Sequence, residues 1–205
     1  MNKRKFLRQA GAASVAAGLV LASRSSEAQA PAADTKVLIV YHSVTGNTEK
    51  MAQGVAEGAT GVSGISILVK KVGEVTGQDL LACDALIVGS PIYFANMAGE
   101  VKTFFDSWAF KCHFPFDDLK MRNKVGAAFV TGVSVSTGKE TTMQSIHAAM
   151  LINQMGVVSG GGAFGASATT GPDSPGVDEN ELAAARALGK RVAEFAAMIK
   201  RGSKA

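Results

Sequence analysis

Three stretches of this 205-residue chain could do chemistry, and each directly follows an apolar run. The first is Ser43, Val44, Thr45, Gly46, Asn47 and Thr48, after the run Val37-Leu38-Ile39-Val40. Its hydroxyls, its amide and the N–H groups around Gly46 can all donate hydrogen bonds to phosphate oxygens. A helical pattern starts directly after it, and the positive end of a helix favours an anion by ~0.3–1 kcal/mol. The loop holds no lysine and no GxxxxGK[ST] pattern, which argues against an ATP-hydrolysing phosphate loop. It lacks GxGxxG as well, so it is not the usual dinucleotide turn. A monophosphate held by neutral donors fits best. Taken alone, the loop could equally be a helix cap without a ligand.

The second stretch is Ser90-Pro91-Ile92-Tyr93-Phe94-Ala95-Asn96-Met97. Tyr93 and Phe94 fall on a turn that Pro91 introduces. Exposed aromatics there invite a flat ring to stack, and nearby backbone N–H groups can reach a ring's polar edge. The alternative is that both rings cover the core. The third stretch is the small-residue loop that begins Thr131, Gly132, Val133, Ser134. Three histidines are spread through the chain. His42 stands beside the first loop and is expected to pack or cap. His113 lies in an aromatic stretch that could overhang a bound ring, which makes it the one proton-donor candidate. His147 is expected to be a surface or satisfied helix residue. No pair has metal-ligand spacing. Cys83 reads as a small core residue, and two lone cysteines, Cys83 and Cys112, leave a disulfide undecided.

These stretches need elements to position them. Residues 84–89 and 124–130 are further apolar runs, and 65–69 and 156–159 read as two more strands. Apolar residues at helical spacing predict helices over 49–59, 97–108, 140–155 and 178–200, with one helical turn over 78–82. Asp178 and Glu181 predict a capping box. Strands apolar on both faces imply helical layers on both faces, hence a parallel sheet. The reading is a doubly wound α/β domain of five parallel strands over residues 33–205. In such sheets ligands bind beyond the carboxyl ends of the strands, where the order reverses. Residues 160–176 read as a long loop, functional or mobile.

Residues 1–32 are predicted to be a signal peptide and short linker. Lys3, Arg4, Lys5 and Arg8 precede a mildly apolar stretch and then small residues. The string NKRKFLRQ resembles the twin-arginine export signal, with Lys3-Arg4 in place of two arginines. The ordinary secretion route stays open, as do cuts after Ala28, Ala30 or Ala32. The chain has 21 basic and 17 acidic residues, of which five basic and one acidic lie in the first 28, leaving 16 of each. The basic balance thus belongs to the leader, and nucleic acid is not expected as a partner. No apolar run reaches the ~18 residues needed to span a bilayer, so no stable membrane anchor is expected after cleavage.

The ordered set of SVTGNT, GSPIYFANMAGEVKTFFD, the loop after the fourth strand and the terminal DENELAAARALGKRVAEFA resembles the flavodoxin-like family. It is most similar to that family's NAD(P)H:quinone oxidoreductase branch, the tryptophan-repressor-binding-protein type. The resemblance implies strand order 2-1-3-4-5 and non-covalent FMN, with NAD(P)H as a possible donor. On it, Ser43, Val44, Thr45, Gly46, Asn47 and Thr48 hold the phosphate. Pro91, Ile92, Tyr93, Phe94 and Asn96 lie along the isoalloxazine, and Thr131, Gly132, Val133 and Ser134 take the third side. Many relatives carry a His pair before Gly-Met, where this chain has Asn153 and Gln154. Its link between the second and third strands is also shorter than the branch uses in its tetramer.

The implied function is a periplasmic or otherwise exported FMN oxidoreductase that reduces a quinone or similar small acceptor. The alternatives are an exported electron carrier between redox proteins and a module without flavin. A homodimer is a possible assembly. Carriers of this fold tend to be strongly acidic, and a net-zero mature chain does not match them.

Overall fold

Branched apolar residues on both faces of consecutive strands leave the chain one arrangement, a sheet with helices packed above and below. In the computed structural model, which describes residues 35–203 except 116, 173 and 175, that arrangement is what forms. The elements run β1 (Thr35–Tyr41), α1 (Asn47–Thr60), β2 (Ile65–Lys71), α2 (Gly77–Ala82), β3 (Ala85–Tyr93), β4 (Asn96–Met97) and α3 (Gly99–Phe110). Then come β5 (Val125–Gly132), α4 (Lys139–Leu151), β6 (Gly156–Val157), β7 (Ala166–Thr169) and α5 (Glu179–Gly202). The predicted signal and linker lie outside the described residues.

The sheet order is β2-β1-β3-β5-β6, with β7 also paired to β5 and all of these pairs parallel. Numbering only the five expected strands, this is the 2-1-3-4-5 order, and the fold is flavodoxin-like. Its direction of winding reverses between β1 and β3, so the loops after those strands diverge and leave a crevice. Two apolar layers close the sheet. Val37, Ile39 and Tyr41 of β1 face the layer built with α1 and α5. Leu38 and Val40 face the layer built with α3 and α4. This alternation is why β1 reads as an unbroken apolar run.

Helices α1 and α5 approach at small residues. A Cβ added to Gly58 would lie 1.9 Å from the Arg186 carbonyl oxygen, and one added to Gly189 would lie 1.9 Å from that of Val55. The expected cap of the last helix is present, with the Asp178 side chain accepting from the Glu181 N–H at 2.8 Å and Glu181 accepting in return.

Several boundaries differ from the sequence reading. Strand β3 continues through Pro91 and Ile92 to Tyr93, so Pro91 does not introduce a turn. Helix α3 starts at Gly99 because Met97 is held in the two-residue strand β4. Helix α4 ends at Leu151, four residues early. The fifth strand is split: residues 156–157 pair low on β5, and Ala166–Thr169 pairs with its upper half. The Ala-Ser-Ala-Thr sequence of β7 has none of the large branched residues that announce a strand, which hid it within an apparent loop.

Candidate functional site

At the upper end of β1 the His42 N–H donates to the Gly89 carbonyl at 3.2 Å, so β1 and β3 stay paired until the chain leaves the sheet. Gly46 then takes φ +85°, a left-handed conformation that turns the chain into α1. Helix α1 starts at Asn47, two residues before its apolar spacing suggests. Asn47 and Thr48 are therefore helical, and the loop proper is residues 42–46. No side chain of the N-cap residue closes the helix. Ser43 Oγ accepts from the Glu49 N–H at 3.3 Å, and Asn47 Nδ2 donates to Thr45 Oγ1 at 3.2 Å. Above Gly46 there is open space: a Cβ there would meet nothing within 4 Å. The N–H groups of Asn47 and Thr48 at the start of α1 thus open onto unfilled space above Gly46, a position that suits a phosphate, while the Glu49 N–H is taken by Ser43.

Behind this loop the Tyr41 hydroxyl donates to Glu49 Oε1 at 2.7 Å. Burial, reinforced by Glu49, pushes that phenol up to about 12. It stays protonated and braces β1 against the first turn of α1.

The second stretch is a two-residue hairpin. Ile92 pairs with Met97 and Tyr93 with Asn96, and the turn itself is Phe94-Ala95. Both turn residues have positive φ, 50° and 61°. Such turns favour Asn and Gly, and other residues hold this conformation at a cost of ~1–2 kcal/mol each. The strained turn displays its rings: Phe94 is fully exposed and Tyr93 is 43% exposed, so neither covers the core. Asn96 accepts from the Met97 N–H through its own side chain. Ser90 Oγ, accepting from the Ala98 N–H at 2.9 Å, ties the hairpin to the start of α3.

The third stretch begins inside the sheet. Thr131 and Gly132 are the last residues of β5, and Thr131 lies opposite Pro91. The exposed loop proper holds Val133, Ser134, Val135 and Ser136. Thr137 Oγ1 donates to the Ser134 carbonyl at 3.0 Å.

The structure brings these stretches together at the carboxyl edge. Thr48 and Thr131, both buried, share a hydrogen bond at 2.8 Å, which links the first loop to the third. A Cβ on Gly132 would lie 2.9 Å from Ile92 Cδ1, and one on Gly138 would lie 2.8 Å from Ala95 Cβ. The third loop therefore rests directly on the hairpin. Val44, Phe94, Val133 and Val135 stand exposed around the edge, and no Asp, Glu, Lys or Arg occurs in residues 43–48, 90–98 or 130–138.

A fourth segment also reaches this edge through Thr170, Gly176 and Val177; most of it falls within residues 160–176, the long loop expected to be functional or mobile. The Thr170 N–H donates to the Gly132 carbonyl at 2.8 Å. The Lys50 ammonium donates to the Val177 carbonyl at 2.8 Å. Gly176 sits close to Asn47, where a Cβ would come within 3.5 Å of its Oδ1. The capping box at Asp178 was the one sequence signal that fixes where this loop ends.

The histidines need correction. His113 follows α3, which runs from the carboxyl edge back down the sheet, so it lies at the far edge and cannot overhang a ring bound above the strands. His147 is neither exposed nor satisfied: it is buried on α4, its Nε2 has no partner among the described residues, and burial lowers its pKa. His42 is half-buried, with Nε2 3.6 Å from a Glu100 carboxylate oxygen and without a hydrogen-bond partner among the described residues. Cys83 and Cys112 are free thiols, and burial pushes Cys83 up to about 11. Among the described residues no group of three His, Cys, Asp or Glu could hold a metal.

Fold and edge geometry together define a flavodoxin-like protein in which the glycine-capped start of α1 lies at the same sheet edge as an aromatic hairpin. Residues 35–170 match the NADPH-dependent FMN reductase family, and the chain belongs to it. It is 32% identical to an NAD(P)H dehydrogenase (quinone) of Chromohalobacter salexigens, over 80% of this chain and 98% of that one. A second protein so named, from Geotalea uraniireducens, is also 32% identical, over 81% of this chain and all of its own. Among solved structures, a flavodoxin, WrbA-like protein from Agrobacterium tumefaciens superposes with TM-score 0.67 and 27% identity, covering 80% of this chain and 98% of that one.

Proposed function

We propose that this protein is an FMN-dependent oxidoreductase that reduces a quinone or similar small acceptor, with NAD(P)H as donor, and that it works outside the cytoplasm. The observation that carries the oxidoreductase reading is the meeting of three loops without Asp, Glu, Lys or Arg at a helix start whose N-cap is a glycine with open space above it. Bound FMN supplies reversible two-electron chemistry at its ring. The chain's own residues bind and orient it. Ser43, Val44, Thr45, Gly46, Asn47 and Thr48 would hold the phosphate, through backbone N–H groups and the Ser43 and Thr45 hydroxyls. Thr48 acts chiefly through its backbone, since its hydroxyl is shared with Thr131. Pro91, Ile92, Tyr93, Phe94 and Asn96 would line one side of the ring, and Thr131, Gly132, Val133 and Ser134 the other. The family match and the quinone-reductase relatives support this reading. The uncharged rim suits an uncharged acceptor and offers nothing to steer a charged redox protein.

The purified protein is expected to be yellow, with oxidised-flavin absorbance, and its flavin is expected to be re-oxidised by quinones faster than by a redox protein. Gly46→Val, a β-branched residue at φ +85° reaching into that open space, should weaken FMN binding by roughly tenfold or more. A colourless protein that takes up no added FMN would overturn the reading.

A further inference from the structure

A second concavity adjoins the loop cluster, and nothing in the cofactor site accounts for it. It is a groove of about 690 Å³ between the connection that follows β2 and the length of α3. Its upper end is bounded by His42, which immediately precedes Ser43, and by Gly99 and Glu100, which open α3 just after the aromatic hairpin. Val72, Val75 and Phe104 give it apolar walls. Lys71 lines it at the end of β2, and Lys111 lines it at the far end of α3. Helix α3 has 12 residues, so the lysine-to-lysine axis spans roughly 18 Å along the helix.

The groove is lined by two lysines and one acid. Lysines elsewhere tend to have partners: Lys70 pairs with Asp79, Lys102 with Asp106, and Lys139 donates to Thr169. Neither Lys71 nor Lys111 makes an ion pair or a side-chain hydrogen bond through its ammonium group among the described residues. The one acid lining the groove is Glu100, which lies beside His42. The His42 Nε2 is buried yet has no hydrogen-bond partner. Two ammonium groups that make no ion pair among the described residues, with Glu74 beside Lys71 accepting from its backbone N–H, are set around apolar walls and match a ligand with separated phosphates and an aromatic base.

We propose that this groove binds the adenosine-phosphate end of the nicotinamide donor, with Lys71 and Lys111 taking its phosphates and Val72, Val75 and Phe104 receiving the base. The proposal rests on the oxidoreductase reading for the identity of the ligand. It places the donor's nicotinamide end at His42 and Gly99, where the groove opens beside the cofactor loops. A lysine binds phosphate as a point charge, so the phosphorylated donor NADPH, with one more phosphate than NADH, is favoured.

The test uses the flavin-loaded protein and adenosine 2′,5′-bisphosphate as probe, titrated calorimetrically into wild type, Lys71→Glu and Lys111→Glu. Both lysines are exposed, so the variants are expected to fold, and unchanged flavin content checks this. The expected result is probe binding that weakens about tenfold or more in each variant, with Lys71→Arg restoring it. The KM for NADPH should rise in parallel, while re-oxidation of the dithionite-reduced protein by quinone stays unchanged. No probe binding to wild type, or equal affinity in all forms, would overturn the groove assignment. If NADPH then still reduced the flavin with an unaltered KM, the oxidoreductase reading would stand alone. If the probe bound as expected but NADPH left the flavin oxidised, the groove would be a nucleotide site and the donor assignment would fall.

Discussion

At the level of single residues, burial decides what a side chain can do more often than its chemistry does. His147 lies on the same stripe of α4 as Met143, Ile146 and Met150, all buried. Its position, not its imidazole, takes it inside. Burial lowers its pKa below the ordinary 6.5, so it stays neutral in the folded protein to lower pH than in the unfolded chain. The unfolded state therefore binds the proton first. The stability this contributes is intact above about pH 6.5 and is lost as pH falls through the folded value. His147→Leu should flatten the acid side of the stability curve. The drop in urea midpoint between about pH 7.5 and about pH 5 should be smaller than in wild type. An equal drop in both proteins would put the acid sensitivity on the carboxylates instead. The same scale shows why some site residues were legible and others not. Ser43 to Thr48 are legible as the polar opening of a helix, because hydroxyls and an amide around a glycine suit either a phosphate or a cap, and Ser43 does accept from the Glu49 N–H. Phe94-Ala95 does not announce a hairpin, because the turn it makes normally carries Asn and Gly. His113 looked close to the site only because sequence distance says nothing about which edge of the sheet a helix returns to.

Elements position the loops through close approach, and glycine marks where. Helix α1 carries the proposed phosphate site at its start, and α5 holds α1 in place through backbone contact at Gly58 and Gly189. A methyl at Gly189 would be driven against the Val55 carbonyl, which is backbone and cannot turn aside. Gly189→Ala is expected to destabilise the protein by roughly 1–3 kcal/mol and to weaken FMN binding, because α1 must shift to accommodate it. Gly202→Ala, at the open end of the same helix, meets nothing within 4 Å and should stay within about 0.5 kcal/mol of wild type. Thermal unfolding of both variants checks the contrast; equal effects would mean that helix propensity, not packing, governs α5. At this scale the strands with branched apolar cores, β1, β3 and β5, were legible to within a few residues. Their upper ends were not, because Pro91, Thr131 and Gly132 carry loop chemistry while still inside the sheet. Strand β7 was missed for the opposite reason, since Ala and Ser fit a narrow slot between β5 and α5 without an apolar signature.

For the whole molecule, the two covered faces follow from the apolar pattern, the order of strands was expected only from the family resemblance, and the cellular setting is an expectation that hangs on residues 1–32. The balance of 16 basic and 16 acidic residues after the first 28 leaves a body of zero net charge, with no Asp, Glu, Lys or Arg in residues 43–48, 90–98 or 130–138. Such a body is not built for long-range steering to a redox partner, which favours small acceptors that arrive by diffusion. The leader carries the expectation of export, and the twin-arginine route would carry the folded, flavin-loaded protein. Fractionating cells that make the full chain should find a yellow protein outside the cytoplasm, cut near residues 28–32 by intact-mass measurement. Replacing Lys3 and Arg4 by Gln should hold the uncut precursor inside. Wild-type protein retained uncut in the cytoplasm would remove the export proposal and leave the oxidoreductase reading untouched. The outcome also bears on the donor. Nicotinamide cofactors are scarce outside the cytoplasm, so exported protein whose Lys71–Lys111 groove still binds the bisphosphate probe would have to meet its donor before export or draw on a nucleotide present in the outer compartment. Cytoplasmic protein would meet NADPH directly, and the groove would then face a ligand abundant enough to fill it.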